Sequence, residues 1–264
     1  MRHLVLIPSF NSGPKLAETV RAALAHWPDV WVVVDGSTDG SGEALAAAAA
    51  GGDAAGLRVL ALPENRGKGA AVLHGLRQAA AAGFTHALTM DADGQHPADR
   101  IPAFVAASRA DPEAMVLGVP VFGPDAPALR VKGRRVSNWW AGLETLWAGI
   151  GDSLFGFRVY PIRPLLEVME AGRWMRRFDF DPEAAVRLSW RGVRAVNLPA
   201  PVRYPPAAEG GVSHFRYARD NALLTWRHAR LMLGTVPRLP RLLLRRRRNR
   251  PARRPPSRAA ATPP

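Results

Sequence analysis

Four short apolar runs, each rich in residues that favour strands, decide the fold of this chain: HLVLIP at 3–8, WVVV at 31–34, LRVLAL at 57–62 and HALTM at 86–90. Stretches that favour helices separate these runs and cover residues 14–26, 42–50 and 68–82. Continuous apolar strands that alternate with helices are typical of a parallel sheet with both faces covered. The sequence therefore predicts an α/β fold with a mostly parallel central sheet and helices on both of its faces.

The alternation loosens in the second half of the chain, but it does not end. Its patterns predict helices over 131–149, 161–171, 182–190 and 217–234, strands over 154–160 and 193–198, and a proline- and glycine-rich loop over 199–211. Residues 251–264 are rich in proline and arginine, and we expect them to be disordered. We divide the chain into an α/β domain, residues 1–215, and a basic C-terminal region, residues 216–264.

Composition excludes several classes of protein. The 264 residues contain no cysteine, which excludes disulfides and thiolate metal sites, and 47% of them are apolar, as is ordinary for a globular chain. No apolar run reaches the roughly 18 residues that a membrane-spanning helix needs. The N-terminus lacks the longer apolar stretch of a signal peptide. These patterns predict a cytoplasmic protein.

The positive charge of the chain lies at one end. Residues 216–264 contain 14 arginines and one acidic residue, so they carry nearly all of the net charge of +14. Such a distribution indicates a polyanionic partner, either nucleic acid or an anionic lipid surface. Because no base-reading motif or aromatic stacking platform accompanies the arginines, we expect a membrane surface and no nucleic acid.

The predicted helix over 217–234 is amphipathic. Its basic side holds three arginines, and an apolar stripe adjoins it: Arg219, Arg227 and Arg230, then Ala222, Trp226, Ala229 and Leu233. A basic amphipathic helix with a tryptophan at the boundary is typical of a segment that lies on a membrane, so we expect residues 216–250 to bind anionic lipid. The alternative is that this helix packs on the α/β domain and leaves only the arginine run at 245–248 free.

Two carboxylates follow the fourth apolar run, in the sequence MDADGQHP at 90–97. Because side chains alternate along a strand, we expect Asp91 and Asp93 on the same side, where the strand ends. Two carboxylates so close repel each other unless a cation lies between them, and their hard oxygen atoms suit Mg²⁺ or Mn²⁺. Gln95 offers an amide oxygen to the same ion. The alternative is an aspartate-rich turn without a metal.

Other segments follow strands, or precede a helix, at the same edge of the predicted sheet. PSFN at 8–11 ends the first strand, and VDGSTDGS at 34–41 places Asp35 where it can accept hydrogen bonds from a base or a ribose. NRGKG at 65–69 precedes a helix and suits an anionic ligand, although it lacks the Walker A spacing. A helix-capping turn and a flexible loop are the alternative interpretations of the last two segments.

In this order, PSFN, VDGSTDGS, NRGKGAA and DADGQHP resemble glycosyltransferase family 2. Together with SLFGFRVYP at 153–161 and FDFDPE at 178–183, the DADGQHP form is most similar to the dolichol-phosphate mannosyltransferase and polyprenyl-phosphate glycosyltransferase branch. The resemblance implies a GT-A fold, a nucleotide-sugar donor and inverting transfer of the sugar. It also implies a divalent cation, Mg²⁺ or Mn²⁺, as the cofactor.

The resemblance implies roles for individual residues as well. The nucleotide-sugar would be bound by five of them: Pro8, Ser9, Asp35, Lys68 and Asp91. The metal would be held by Asp91, Asp93 and Gln95, and Arg158 would lie near the donor and acceptor phosphates. Many members of the family carry two acids before the glycine and serine, whereas Val34 precedes Asp35 here. We therefore expect slightly different contacts to the base.

Charge decides what the reaction requires. Departure of a nucleoside diphosphate builds negative charge, which a divalent cation and Arg158 would stabilise. A phosphate acceptor, whose second pKa is about 6, is nucleophilic near neutral pH without a base. A hydroxyl acceptor needs a carboxylate, and the candidates are Asp179, Asp181 and Glu183. Equally, Asp181 and Glu183 are explained as the cap and the first-turn acid of the helix predicted from residue 182.

The predicted function is transfer of a sugar from a nucleotide-sugar to a lipid acceptor by a peripheral enzyme on the inner face of the cell membrane. Polyprenyl phosphate is the favoured acceptor, and a hydroxyl of another lipid or of a polyketide-type molecule is the alternative. A nucleotidyltransferase and a nucleic-acid-binding protein are lower alternatives. His74, His96 and His214 lack a paired carboxylate or a second spaced histidine, so we expect them to be structural.

Overall fold

A computed structural model describes residues 1–51, 56–123, 128–202 and 217–248 of the chain. Its strands are β1 His3–Ser9, β2 Val30–Asp35, β3 Leu57–Leu62, β4 His86–Thr89, β5 Met115–Val121, β6 Arg158–Pro161 and β7 Ala195–Pro201. Its helices are α1 Pro14–Leu24, α2 Ser41–Ala50, α3 Lys68–Ala81, α4 Ile101–Ala110, α5 Ala128–Glu144, α6 Ile162–Glu170, α7 Phe180–Arg191, α8 Tyr217–Thr235 and α9 Leu239–Arg248.

The strands form one sheet in the order β3-β2-β1-β4-β6-β5-β7. The strand β6 is antiparallel to both of its neighbours, and the other pairs are parallel. The predicted α/β fold with a mostly parallel sheet is therefore confirmed. The chain runs outward from β1 through β2 to β3 and then returns to the other side of β1 with β4. In open α/β sheets, a binding crevice forms at such a switch in strand order.

Helices cover both faces of the sheet because successive side chains of β1 enter different cores. Leu4 and Leu6 lie in a core with residues of α3, α6 and α7. Val5 and Ile7 lie in the opposite core with residues of α1 and α4. All four side chains are fully buried, as expected for an interior strand of a covered sheet.

The structure differs from the predicted elements mainly in the second half. The helix predicted over 131–149 ends at Glu144, since Leu146 and Trp147 adopt left-handed backbone conformations with φ of 52° and 57°. The strand predicted over 154–160 begins only at Arg158, because the Asp152 carboxylate accepts hydrogen bonds from the N–H groups of Leu154 and Phe155 and holds them in a turn.

Neither α4 nor β5 is predicted by the alternation. The strand β5 reads MVLGVPV, and glycine and proline are usually signals of a turn. Gly118 is required here because a Cβ atom would lie 2.7 Å from the Phe155 ring and from the Phe157 carbonyl oxygen. The loop predicted over 199–211 is strand as far as Pro201, and its residues from 203 onward lie outside the described residues. His214 and the tail over 251–264 lie outside them as well.

The helices α8 and α9 pack against the α/β domain. Leu231 of α8 and Leu242 of α9 lie in a small third core with Ala141, Val186 and Trp190. The Trp190 indole N–H and the Thr235 hydroxyl both donate to the carbonyl oxygen of Glu144, at 2.8 and 3.0 Å. The described part of the C-terminal region is thus fixed to α5 and α7.

Candidate active site at the switch in strand order

The carboxyl ends of β1, β2 and β4 meet at one edge of the sheet. The strand β1 lies between the other two, with Ser9 paired to Val34 of β2 and Leu6 paired to Thr89 of β4. The segments that follow these three strands are therefore neighbours, as the sequence predicts. They carry Ser9, Asp35 and Asp91.

Asp35 is buried and shapes the loop over 65–69. Its carboxylate accepts hydrogen bonds from the N–H groups of Arg66 at 2.9 Å and Gly67 at 2.7 Å. Gly36, with φ of 65°, lets the two loops approach, because a Cβ atom there would lie 2.4 Å from the Asn65 nitrogen. Both carboxylate oxygens of Asp35 are engaged, so it positions the loop that carries Lys68.

The segment after β1 is tied to the segment after β2. Pro8 and Ser9 are buried, and the Ser9 hydroxyl lies 2.9 Å from that of Ser12. The Asn11 side-chain oxygen accepts from the Thr38 N–H at 2.8 Å. These bonds join the two segments into one rigid edge of the crevice.

Asp91 faces the crevice and is partly exposed, with 32% of its side chain accessible to solvent. Its Oδ1 lies 2.6 Å from the Nζ of Lys68. Its N–H donates to His96 Nδ1 at 2.9 Å, which leaves the His96 proton on Nε2, 3.7 Å from Asp91 Oδ2. Burial raises the pKa of Asp91, but attraction to the Lys68 ammonium, the hydrogen bond from it and the smaller effects of His96 and Arg158 together lower that pKa overall.

Asp93 and Gln95 form the turn that follows Asp91. The Gln95 N–H donates to Asp93 Oδ1 at 3.0 Å, as in an Asx turn. Loss of hydration and repulsion by Asp91 raise the pKa of the Asp93 carboxyl group. A carboxylate whose pKa is raised by a neighbouring carboxylate is stabilised strongly by a cation placed between the two.

Asp181 is the second carboxylate that contacts Lys68. Its Oδ2 lies 2.6 Å from Lys68 Nζ, and its Oδ1 is buried without a hydrogen-bond partner among the described residues. Gly156 closes the cluster, because a Cβ atom there would lie 2.8 Å from Lys68 Nζ and 3.1 Å from Asp91 Oδ2. The sequence predicts a cap or a base at Asp181, but α7 begins earlier, at Phe180, and the carboxylate binds Lys68 instead of a helix N–H.

Arg158 is fully buried beneath this cluster. It donates to the carbonyl oxygens of Asp152, Phe155 and Asp181 and to the Tyr160 hydroxyl. These partners lie in the protein interior, so the guanidinium does not reach the surface of the crevice as described. The expected contact of Arg158 with phosphate is not what this geometry provides; Arg158 instead anchors the segments on both sides of the crevice.

The other two candidate bases are engaged away from the crevice. Asp179 accepts from the N–H groups of Met175 at 3.0 Å and Arg177 at 2.9 Å, which holds a tight turn. Glu183 is fully buried and pairs with Arg187 at 2.6 Å and with Arg230 of α8. The prediction that either serves as a base is at odds with these contacts, because each carboxylate already has two donors.

The glycines of NRGKG serve a packing role that sequence reasoning missed. A Cβ atom on Gly67 would lie 2.7 Å from the Arg176 carbonyl oxygen, and one on Gly69 would lie 2.1 Å from that of Met175. The Ala70 N–H donates to the Arg176 oxygen at 2.9 Å. The turn before α7 therefore packs directly on the loop that carries Lys68. The sequence does not reveal this contact, because a glycine-containing segment before a helix is equally typical of an anion-binding loop.

The C-terminal helix α8 is turned opposite to the expected orientation. Arg227 and His228 are buried, and His228 Nδ1 lies 2.7 Å from Glu144 Oε1. Arg230 stacks on Trp174, with 3.6 Å between its Cζ and the ring centroid, and pairs with Glu183. The expectation that Arg227 and Arg230 face a membrane is therefore wrong. Periodicity identified the two faces of the helix, but buried acids on α5 and α7 decide which one faces inward.

The apolar stripe of α8 faces outward and continues into α9. Its large side chains are exposed: Trp226, Leu233, Val236, Leu243 and Leu244. Five large exposed apolar side chains along two successive helices make this surface a candidate for contact with a partner or a membrane. Within the described residues, no helix combines the length and the apolar character required to cross a membrane.

The described part of the chain contains no preformed set of metal ligands. No group of three or more histidine, aspartate or glutamate side chains there is arranged to hold a metal ion. The residues nevertheless fit a divalent cation that brings further ligands with it. The Lys68 ammonium already contacts Asp91, where a metal ion would bind. Asp181 Oδ1 has no hydrogen-bond partner among the described residues, so it can accept a further ligand.

Comparison with known proteins places the chain in a family. A family model described as glycosyl transferase family 2 matches residues 4–168. Undecaprenyl-phosphate mannosyltransferase of Micrococcus luteus is 28% identical over 75% of this chain and 82% of its own. Polyprenol monophosphomannose synthase of Mycolicibacterium smegmatis is 31% identical over 73% of this chain and 72% of its own.

A solved structure shares the fold at lower identity. Glucosyl-3-phosphoglycerate synthase of Mycobacterium tuberculosis, in complex with Mn²⁺, uridine diphosphate and glucosyl-3-phosphoglycerate, superposes with a TM-score of 0.53 and 16% identity. The superposition covers 89% of this chain and 78% of the other. The fold is thus that of the GT-A glycosyltransferases, and together with the match over residues 4–168 this shows that the chain is a glycosyltransferase belonging to glycosyl transferase family 2.

Proposed function

We propose that this enzyme transfers a sugar from a nucleotide-sugar to a polyprenyl phosphate. The observation that carries the proposal is the crevice at the switch in strand order, in which the partly exposed Asp91 lies beside Lys68. This is where open α/β sheets bind nucleotides. The proposal draws its acceptor from the two relatives, whose names specify undecaprenyl phosphate and a polyprenol.

Asp91 and Asp93 would hold a divalent cation, Mg²⁺ or Mn²⁺, with Gln95 close by. Such an ion, when bound, neutralises the charge that grows on the departing nucleoside diphosphate. Lys68 adds a second positive charge within 2.6 Å of Asp91, so it is placed to contact the same diphosphate. Pro8, Ser9 and the loop held by Asp35 form the edge against which the nucleoside would lie.

The occupied carboxylates favour a phosphate acceptor over a hydroxyl. Asp179 and Glu183 each have two donors, and Asp181 is paired with Lys68. A hydroxyl nucleophile needs a free carboxylate to accept its proton, whereas a phosphate is already ionised near neutral pH. Inverting transfer to a lipid phosphate therefore needs no residue beyond those that position the donor.

We further propose that the enzyme meets its acceptor as a peripheral protein on the cytoplasmic face of the membrane. The exposed stripe of α8 and α9 would enter the headgroup region, with Trp226 at its boundary. Arg241 and Arg246 are exposed on α9, beside Leu243 and Leu244, and would contact anionic headgroups. This docking uses the apolar face of α8 in place of the basic face that the sequence suggested.

Transfer of label into lipid tests the proposal. The purified chain is incubated with Mn²⁺, anionic vesicles, polyprenyl phosphate and a pooled set of labelled nucleotide-sugars, and label is counted after organic extraction. Asp93→Asn is the test variant, and Asp99→Asn, at an exposed position of the short 3-10 helix before α4, is its matched control. We expect label that depends on Asp93 and on added polyprenyl phosphate.

Two other outcomes would change the conclusion. Label that requires Asp93 but not polyprenyl phosphate would point to a hydroxyl acceptor and would make Asp181 the residue to test as its base. Absence of lipid label, in a protein that still binds nucleoside diphosphate, would contradict a lipid acceptor.

A further inference from the structure

Lys68 occupies the space between two carboxylates at the centre of the crevice. Its Nζ lies 2.6 Å from Asp91 Oδ1 and 2.6 Å from Asp181 Oδ2, and 12% of its side chain is exposed. The absence of a side chain on Gly156 keeps this space clear, since a Cβ atom there would touch both Lys68 and Asp91. The ammonium is therefore the cation of this cluster in the absence of ligands.

The cluster retains unused negative charge. One ammonium faces two carboxylates, and Asp93 adds a third carboxylate to the same turn as Asp91. Asp181 is 6% exposed, and its Oδ1 has no hydrogen-bond partner among the described residues. A buried carboxylate oxygen left without a donor is costly, so this atom indicates that a further ligand or cation completes the cluster.

The two partners of Lys68 differ in how firmly they are held. The Asp181 backbone carbonyl accepts a hydrogen bond from buried Arg158, and its side chain lies at the start of α7. Asp91 is more exposed and lies in the turn over 90–97. A cation that enters from solvent would therefore reach Asp91 first, while Asp181 would keep its lysine.

We propose that Lys68 is an internal counter-ion that a divalent cation displaces from Asp91, and that the displaced ammonium then binds the nucleoside diphosphate while it stays paired with Asp181. This inference rests on the proposed donor site. It predicts that the metal alone binds weakly, because it competes with the lysine for Asp91. It also predicts that the metal and the nucleoside diphosphate strengthen each other's binding, because the diphosphate gives the ammonium a new partner.

Binding of Mn²⁺ to the full chain tests this, with free Mn²⁺ followed by electron paramagnetic resonance. The titration is performed with and without a nucleoside diphosphate, UDP and GDP in parallel. For Lys68→Met we expect Mn²⁺ alone to bind about tenfold more tightly than in the wild type, because a competing positive charge is gone. The gain in Mn²⁺ affinity on adding the nucleoside diphosphate should shrink by a similar factor.

Two controls distinguish the loss of the Lys68 charge from damage to the fold. Lys68→Arg keeps the charge and should keep the weak binding of Mn²⁺ alone, and Lys15→Met removes a surface lysine and should change neither titration. Circular dichroism checks folding, and Lys68→Gln replaces the methionine variant if that variant fails to fold. Unchanged or weaker Mn²⁺ binding by Lys68→Met, or by Lys68→Gln in its place, would overturn the inference.

The same titrations keep the two proposals distinct. A wild-type protein that binds neither UDP nor GDP with Mn²⁺ would count against the donor site, whatever the variants do. A wild type that binds Mn²⁺ and a nucleoside diphosphate, with no change in Lys68→Met, would remove only the role of Lys68 as a counter-ion.

Discussion

Asp181 and Glu183 lie two residues apart at the start of α7, yet they belong to opposite kinds of polar cluster. Asp181 faces the crevice, shares Lys68 with Asp91 and keeps one oxygen without a donor. Glu183 faces α8, and its two carboxylate oxygens are paired with Arg187 and Arg230. Burial and pairing alone therefore do not mark a ligand site. The cluster around Asp181 has an unused acceptor oxygen, whereas both oxygens of Glu183 bind arginines, one of which holds α8 in place.

The largest effect is expected where the crevice cluster meets solvent. Asp91→Asn removes the carboxylate that faces both Lys68 and the proposed cation, and we expect the transfer rate to fall about a thousandfold. Steady-state release of nucleoside diphosphate measures it, with Asp99→Asn as the control. A loss of less than tenfold would show that Asp91 is not part of the donor site.

The second-largest effect is expected in the buried cluster of Glu183, Arg187 and Arg230. Glu183→Ala leaves Arg187 and Arg230 without their carboxylate, and we expect the free energy of unfolding to fall by about 3 kcal/mol, because an unpaired charge stays partly buried. Urea denaturation measures the change. Glu167→Ala, at an exposed pair with Arg191, should cost less than about 1 kcal/mol. Equal losses of unfolding free energy in the two variants would show that the buried cluster around Glu183 stabilises the fold no more than an exposed ion pair does.

A third prediction concerns His3, a buried group that has no acidic partner among the described residues. Burial, with smaller repulsion from His86 and Arg109, lowers the pKa of His3 to about 4. The folded state therefore binds fewer protons than the unfolded state as the pH falls below about 6.5, and stability is lost as the pH falls toward 4. We expect the His3 contribution to fall by about 2 kcal/mol between pH 7 and pH 5.

Urea denaturation at both pH values checks this, with His3→Gln compared with the wild type. His26→Gln, at an exposed position near the end of α1, is the control. If His3→Gln loses as much stability as the wild type on acidification, His3 is not the group responsible.

The smallest effect is expected on the exposed apolar face of α8. Trp226→Ser removes a large exposed side chain from α8, and we expect affinity for anionic vesicles to fall about tenfold, since burial of such a group is worth about 1.5–3 kcal/mol. Vesicle sedimentation measures it. Arg241→Ser should weaken binding in a salt-dependent way, whereas Arg163→Ser, at an exposed position of α6, should not. Unaltered binding by Trp226→Ser would remove α8 from the docking surface.

Local patterns were enough to predict the crevice, and non-local contacts decided the rest. Apolar runs followed by Asp35 and Asp91 place both residues at one sheet edge, because parallel strands end on the same side. The fate of Glu183 depends on Arg230, 47 positions later in the chain. No periodicity within α7 carries that information.

The same limit applies to α8 and to Arg158. Helical periodicity separates the apolar stripe of α8 from its basic residues, but Glu144 and Glu183 on other helices bind His228 and Arg230 and so hold the basic side inward. A buried arginine resembles a phosphate ligand in sequence, and only the carbonyl oxygens gathered around Arg158 show that it braces the interior.

The reversed strand β6 has a consequence for how the crevice can vary. Because β6 runs against β4, with Thr89 opposite Arg158, the chain enters β6 at the edge where the parallel strands end. The segment before Arg158 is thus a wall of the crevice, next to the turn of Asp91. Changes in this segment would therefore reshape the crevice directly. Because the same segment supplies the Asp152 and Phe155 carbonyl oxygens that bind buried Arg158, the shape of the crevice is coupled to the interior of the domain.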